Sequence, residues 1–440
     1  MILIYSPTIT PRLRYITKLI FCDILRSDVQ IVDNVAVFKE SGHAKLNYSQ
    51  KQFDNELFVK ASEFLFSNSI ELPEIKSLHY KGETGFFETS ENSVMPFDPF
   101  AAAFLVVSRM EEYGTGTRDL HGRFCANSSL LFRYGLLNKP VVNIWANLLA
   151  TELQQIYPQL KFPKPVFRLI TTIDIDNAWA YRNKGFFRTL ASLGRDILRT
   201  DFKKAGERFG VLIGKKEDPY DTYNYLDSVF RNASQDVIFF FHLGNYARYD
   251  KPVSWKKVEL RNFIRNIAGK YKVGIHPSYR SGDSGNKELV GIEKERLQVI
   301  TGFKVESSRQ HYLRLQFPET YRRLITAGIT EDYTMGFHDI AGFRAGICTP
   351  FKFYDLEKEQ EEPLTIFPFQ VMDVTLRQYM KLSPKEAIVK VESLIDEVRK
   401  VGGTFIGIWH NESISSVNEW KDYLKVFEFM NQQKSGNAHE

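Results

Sequence analysis

The second half of the chain alternates between two hydrophobic rhythms. Short runs rich in β-branched and aromatic residues recur at 166–174, 237–243, 272–276, 303–309, 329–332, 365–371 and 404–409, and such runs read as buried strands. Between several of them the apolar positions fall at helical spacing: ELRNFIRNIAGKY (259–271), KELVGIEKERLQVITG (287–302), ETYRRLITAG (319–328) and SPKEAIVKVESLIDEVRKVGG (383–403). The last has its own start and stop signals. Ser383 is a cap, Pro384 sits at the first helical position, Glu386 completes a capping box, and Gly402-Gly403 end the run. Strand–helix alternation with crossovers of this length predicts a parallel sheet, open or closed into a barrel. Seven strand-like runs predict a distorted (β/α)7 barrel, whose functional groups gather at the C-terminal strand ends.

The first ~160 residues have a different pattern and predict a smaller α/β domain, 1–160. MILIY is a short strand. Thr10-Pro11 opens a helix through Leu25, and Asp98-Pro99 repeats that cap before the apolar run FAAAFLVVSRMEEY. VQIVDNVAVF reads as a strand pair turning at Asp33-Asn34, and a third helix is expected at about 140–156. KFPKP (161–165) is the expected linker, 161–430 the barrel domain, and 431–440 a polar tail.

Composition narrows the function classes. The chain of 440 residues is 43% hydrophobic and 25% charged, as in ordinary globular proteins. Its net charge of +5, from 58 basic and 53 acidic residues, gives no ground for a nucleic-acid partner. Cys22, Cys125 and Cys348 are far apart and odd in number, so neither a disulfide framework nor a thiolate zinc site is expected. With no basic n-region at the start and no apolar run of spanning length, the expected location is the cytoplasm. FGVLIGKKED (209–218) lacks the spacing of a phosphate-binding loop.

Titratable residues end the strand-like runs. TTIDIDNAW delivers Asp174 and Asp176 to one face, two residues apart. GIHPS delivers His276, SSRQHY delivers Arg309 and His311, GITEDYT delivers Asp332, and GIWHN delivers His410. Two like charges at this spacing repel, and burial makes the repulsion costly, so either a metal ion sits with them or the strand ends in a solvated loop. Asp and His are suitable ligands for Zn²⁺ or a similar divalent ion. A second carboxylate can take a proton as general base, a separate His can give one to a departing amine, and an Arg can hold the base ionised. These are the parts of a metal-assisted amide or ester hydrolase. His43, His79 and His121 stand alone and read as structural or surface residues.

On these residues the segment 166–412 resembles the polysaccharide deacetylase superfamily (the NodB-homology, carbohydrate esterase family 4 fold), in particular its bacterial subgroup with an added N-terminal α/β domain. TIDID is similar to the first motif, GIHPS to the second, SRQHY to the third and GIWHN to the fifth, in the family's order. The resemblance implies Asp174 as base, Asp176 and His276 as metal ligands, Arg309 as partner of the base, and His410 as acid. It implies Asp332 as a supporting acid, with Tyr312 and Trp409 beside the substrate. The implied cofactor is a divalent metal, zinc or else Co, Mn or Ni, and the implied partner is a carbohydrate or glycoconjugate. The chain departs from the family at one point. The second motif commonly has another His four residues on, where this chain has Arg280. The replacement ligand is then His311, with His242 and His338 as alternatives. The reading is a hydrolase removing an acyl group, acetyl first, from an N-acylated sugar. Its rivals are an inactive carbohydrate-binding or assembly protein, which the missing His favours, and a hydrolase of a non-sugar amide.

One segment stands outside this scheme. Residues 181–216 carry ten Lys or Arg against Asp196, Asp201 and Glu207, a net of +7, with Phe186, Leu190, Leu193 and Ile197 on one helical face. This is either a solvated helix pair or a peripheral contact with an anionic membrane surface or a phosphate-bearing substrate.

Overall fold

The structure, a computed structural model, describes residues 1–114, 116–163, 166–231, 235–415 and 420–437. The expected linker and tail fall outside the described residues at 164–165 and 438–440. The N-terminal part is built on β1 (Ile2–Tyr5), β2 (Val29–Val32), β3 (Ala44–Ser49) and β4 (Leu57–Lys60), all parallel, in the order β2-β1-β3-β4. A hairpin, β5 (Ser77–Tyr80) and β6 (Glu83–Phe86), lies apart from it. Asp98 caps the helix Pro99–Val107 by accepting from Phe100 N and Ala101 N, and every residue of that helix is buried. The strand pair expected at 29–38 is instead a strand followed by the helix Val35–Glu40. The reason is Asn34, whose Oδ1 accepts from Ala36 N and Val37 N at 2.9 and 3.2 Å and so caps a helix rather than making a turn.

The larger sheet contains β7 (Val166–Ile175), β8 (Asp236–Phe241), β9 (Lys272–Ile275), β10 (Ser307–Ser308), β11 (Glu331–Asp332), β12 (Phe351–Asp355), β13 (Gln360–Ile366), β14 (Val371–Met372), β15 (Gly403–His410) and β16 (Gly436–Asn437). Its order is β12-β13-β11-β10-β9-β8-β7-β15-β14, with β16 beside β7, and only β12 and β16 pair antiparallel. Each of the seven strand-like runs overlaps a strand, though those at 303–309 and 329–332 shrink to Ser307–Ser308 and Glu331–Asp332. The run 365–371 departs from expectation: it changes partners, pairing with β11 through Ile366 and with β15 from Val371. Between these, Phe369 N bonds to Met335 O and Gln370 N to Ile406 O. One segment thus touches both ends of the parallel run, where a regular barrel would have a full strand pair. The helix Pro384–Val401 has the expected capping box between Ser383 and Glu386.

Alternation along the strands separates two apolar layers. Ile170, Ile238, Phe240, Ile406 and Ile408 form a small cluster on the inner face. Leu169, Ile173, Phe239, Phe405 and Trp409 belong to the main core on the outer face, under the helices. The inner register continues upward through Thr172, Asp174 and His410, the last two directly paired in register.

The N-terminal part is joined to the larger sheet by a buried ion triad. Glu112 Oε1 accepts from Arg109 Nε at 2.8 Å and from Arg344 Nε at 2.9 Å, and all three side chains are almost fully buried. Burial alone would raise the Glu112 carboxyl, but the two guanidinium groups outweigh it and hold it below the ordinary 4.5. Its folded value being depressed, the triad's contribution is present above the ordinary carboxylate range and is lost as pH falls through the lowered value. Glu112→Ala strands the buried Arg344, leaves Arg109 with Glu111 as its one carboxylate, and should cost about 3–5 kcal/mol, read as an earlier midpoint in urea unfolding. An unchanged midpoint would contradict this account of the joint.

Candidate active site

β7 ends between two acids. Asp174 is the last inward residue within the strand and is buried, while Asp176 follows one residue beyond it and is partly open. β9 ends one residue before His276, and the chain leaving β10 carries Arg309 and His311. Parallel strands place their C-terminal ends side by side, so Asp174, Asp176, His276, His311, Tyr312 and His410 line one cavity of about 390 Å³.

Three of these groups face a common point. His276 Nε2 is 3.1 Å from Asp176 Oδ1, and His311 Nε2 is 3.5 Å from Asp176 Oδ2. One donor atom from each of the three lies within 4.8 Å of the others. Asp176 Oδ1 is buried and makes no aligned hydrogen bond despite the short distance. The rings are held from behind. His276 Nδ1 is 2.6 Å from Arg309 O, an acceptor only, so Nδ1 donates there and Nε2 is the ring nitrogen left facing Asp176. His311 Nδ1 is 3.0 Å from Asp250 Oδ1, the carboxylate–imidazole arrangement that orients metal ligands. Two imidazoles and a carboxylate with lone pairs aimed together are a fitting donor set for a tetrahedral divalent ion with one position open.

The charges support this arrangement. Burial raises the Asp176 carboxyl, yet His311 and His276 hold it well below the usual range. Burial works against a charged His311, but Asp176 and Asp250 prevail and push it up to about 9. Without a cation the cluster retains a proton, which an ion would displace. His242, an alternative ligand, stands behind: its Nδ1 is 3.1 Å from His276 O and its Nε2 is 3.4 Å from Asp250. Burial, then His311, drives it down to about 3, so it is neutral. His338 lies elsewhere, with Asp119 and Asp339. Arg280 has an exposed side chain, and its backbone N–H is 3.4 Å from Asp250.

On one side of the donor set is Asp174. Its Oδ2 is 3.6 Å from Arg309 Nη1 and 3.9 Å from His276 Nε2, and its Oδ1 has no hydrogen-bond partner. Arg309 is fully buried, donates from Nη2 to Thr172 Oγ1 at 2.9 Å, and lies over the rings of Phe240 and Phe369. On the other side is His410. Its Nδ1 is 2.9 Å from Asp373 Oδ1, and Asp373 Oδ2 also accepts from His410 N and Ser413 Oγ. Burial opposes a charged ring, but Asp373 outweighs it and holds His410 well above the ordinary value. A protonated imidazole with Nδ1 engaged leaves Nε2 as its donor.

Two expected residues fall elsewhere. Asp332 is fully buried and away from the cavity wall, held by Ser308 Oγ, Thr334 Oγ1 and Thr334 N. Burial raises it to about 6, and it acts on the site only through its charge near Arg309. Trp409 packs on Phe427 in the outer core, because alternation puts the residue between Ile408 and His410 on the opposite face. Tyr312 does reach the cavity. Asp250 and Asp373 are absent from the sequence-based set. Asp373 carries the same signal as the others, an acid just past a strand-like run, whereas Asp250 in GNYARYDK has no local signal.

Residues 2–158 match the model of a family of unknown function, DUF7033. No curated protein matches the chain. Solved structures similar to it include the following three. A candidate polysaccharide deacetylase from Mycobacterium smegmatis is 16% identical, over 62% of this chain and 86% of its own, with a TM-score of 0.38. The allantoinase Puue is 12% identical, over 63% and 88%, with a TM-score of 0.37. The polysaccharide deacetylase Bc1974 from Bacillus cereus is 12% identical, over 60% and 88%, with a TM-score of 0.28. At these identities and TM-scores the likeness carries no argument about function, so a functional reading has to stand on the chain's own residues.

Proposed function

We propose that the chain is a metal-dependent amide hydrolase that removes an acyl group, acetyl first, from an N-acylated sugar of a glycan or glycan precursor. The chemistry is assigned to residues 161–430, with 1–160 as a separate domain. One observation carries the reading: three convergent donors lie in one cavity between a carboxylate with a free oxygen and an imidazole charged by its own carboxylate. The order of the motifs resembling the polysaccharide deacetylase superfamily supports the choice of an N-acyl sugar.

Asp176, His276 and His311 would hold the ion, zinc by donor type with Co, Mn or Ni as substitutes. When bound, such an ion supplies Lewis acidity to a carbonyl oxygen and to water. The other groups belong to the chain. Asp174 takes the proton of the attacking water at Oδ1, and Arg309, 3.6 Å from its Oδ2, keeps the free Oδ1 turned toward the cavity. His410, protonated through Asp373, gives the Nε2 proton to the departing nitrogen, so the amine leaves neutral. Asp250 positions His311 without reaching substrate.

Four variants test this. Asp174→Asn should bind metal as the wild type does but lose about 10²–10⁴ in kcat on an N-acetylated oligosaccharide, while Asp176→Ala should lose the metal in elemental analysis. Equal turnover by metal-stripped enzyme would overturn the reading. Asp250→Asn should weaken metal affinity about 10–100-fold, measured by competition with a chelator, and an unchanged affinity would remove Asp250 from the site. The acid, His410, has a raised value, so activity is present below it and lost as pH rises through it. Asp373→Asn removes the cause of the elevation and should move the alkaline limb of the kcat profile to lower pH. A fixed limb would assign the acid to another group.

A further inference from the structure

The basic segment noted in the sequence folds into two helices, Phe186–Leu198 and Phe202–Leu212, packed as a pair beside the site. Between this pair and the sheet lies a second cavity of about 410 Å³. Lys184, Arg188, Arg195, Lys204, Arg208 and Lys251 line it against two acids, Glu207 and Glu412. Arg208 is neutralised by Asp196, at 2.8 Å. Arg188 is satisfied only by the carbonyls of Lys251 and Pro252 and the ring of Tyr246. Among the described residues the side chains of Lys184, Arg195, Lys204 and Lys251 make no hydrogen bond and no ion pair. Burial and then Arg188 lower Lys184 to about 8, the mark of a cation waiting for a counter-charge. The cavity adjoins the active site, and the two share Asn177, Lys251, Gln378 and Glu412 as lining residues.

We propose that this cleft is a subsite for a phosphate or diphosphate ester carried by the substrate, whose acylated sugar then lies among Asp174, Asp176 and His410. Five cations without a carboxylate partner, set against Glu207 and Glu412, leave a net of +3, more than one carboxylate would neutralise and close to the charge of a diphosphate, whose several oxygens can accept from them. The substrate is a sugar phosphate, free or displayed on a lipid. The proposal extends the amide-hydrolase reading, but its test needs no turnover, so the two fail separately.

The probe is inorganic pyrophosphate, titrated by calorimetry into the wild type and into Asp176→Ala. Both should bind saturably, and more weakly as salt rises. K184Q/R195Q/K204Q should lose about tenfold or more in affinity. The same charge removed outside the cleft, in K203Q/K215Q/K216Q, should change it little. Absence of saturable binding to the wild type overturns the subsite, as does equal loss in the two triple variants. N-acetylglucosamine 1-phosphate should then compete with pyrophosphate, and N-acetylglucosamine should not. If the phosphosugar competes only when displayed on a lipid vesicle, the source is lipid-linked.

A different observation carries a second proposal. Among the described residues, nine of the 23 large hydrophobic side chains left exposed fall between Phe186 and Ile213, with Phe187 84% and Leu198 87% open. Such a patch on a helix pair of net positive charge fits the surface of an anionic bilayer, and no helix among the described residues is long and apolar enough to cross one. We infer that the pair lies on such a surface. The full chain should sediment with phosphatidylglycerol vesicles and not with phosphatidylcholine vesicles, and F187E/L198E should stay in solution. A wild type that stays in solution, or a variant that sediments equally, overturns it.

Discussion

Asp174 and Asp176 leave one strand on one face, and the repulsion between them governs the groups around them. Each acid is given its own partner. Asp174 faces Arg309, whose charge persists at any working pH. Asp176 faces two imidazoles, of which His311 is held charged by Asp176 and Asp250. The division of labour follows from that difference. A carboxylate that faces a permanent cation and keeps one oxygen free is placed to accept a proton, whereas a carboxylate flanked by two imidazoles completes a ligand set. The compensation then propagates: His311 leans on Asp250, which also accepts from Tyr279 N and so fixes the loop after His276.

A fully buried guanidinium needs an explanation of its own. Arg309 has one hydrogen bond, to Thr172, while its Nε and Nη1 have none. Its solvent has been replaced by the faces of Phe240 and Phe369 and by the charges of Asp174 and Asp332. Below it lies the apolar inner cluster around Ile170 and Ile406. The inner face is therefore oily at its base and charged at its mouth, and the low polarity beneath strengthens each interaction above.

This division explains what could be read from the sequence. A strand that stops at a titratable residue is a local pattern, and parallel topology turns it into a common location, so Asp174, Asp176, His276, Arg309, His311 and His410 were all legible. Asp250 was not, because it is chosen by a contact 61 residues away and leaves no period in the sequence. Asp373 carries the local pattern, one residue past Val371–Met372, but lies beyond a run read as one strand that in fact changes neighbours. Trp409 fell to the rule that located His410: strict alternation sends neighbours to opposite faces. Asn34 shows the limit at shortest range, since an Asn before an apolar run suits a turn and a helix cap equally well.

The N-terminal part, which offered no chemistry in the sequence, nonetheless bears on the site through one turn. Tyr312 and Leu313 have φ of +60° and +53°, a region that costs a residue with a side chain roughly 1–2 kcal/mol. The turn follows directly from His311, so its shape sets where that ring points. Arg123 Nη1 donates to Tyr312 O at 3.2 Å, and His121 O accepts from Arg314 Nε at 3.2 Å. The ring of His121 lies 4.9 Å from that of Tyr312, within an aromatic group completed by Tyr249 and Tyr279. Residues before 160 thus clamp both sides of a strained turn, and Arg123 itself lines the cavity. A strained turn persists only where its surroundings over-determine it, and half of these surroundings come from outside the parallel sheet. The third donor of the site therefore depends on the whole chain.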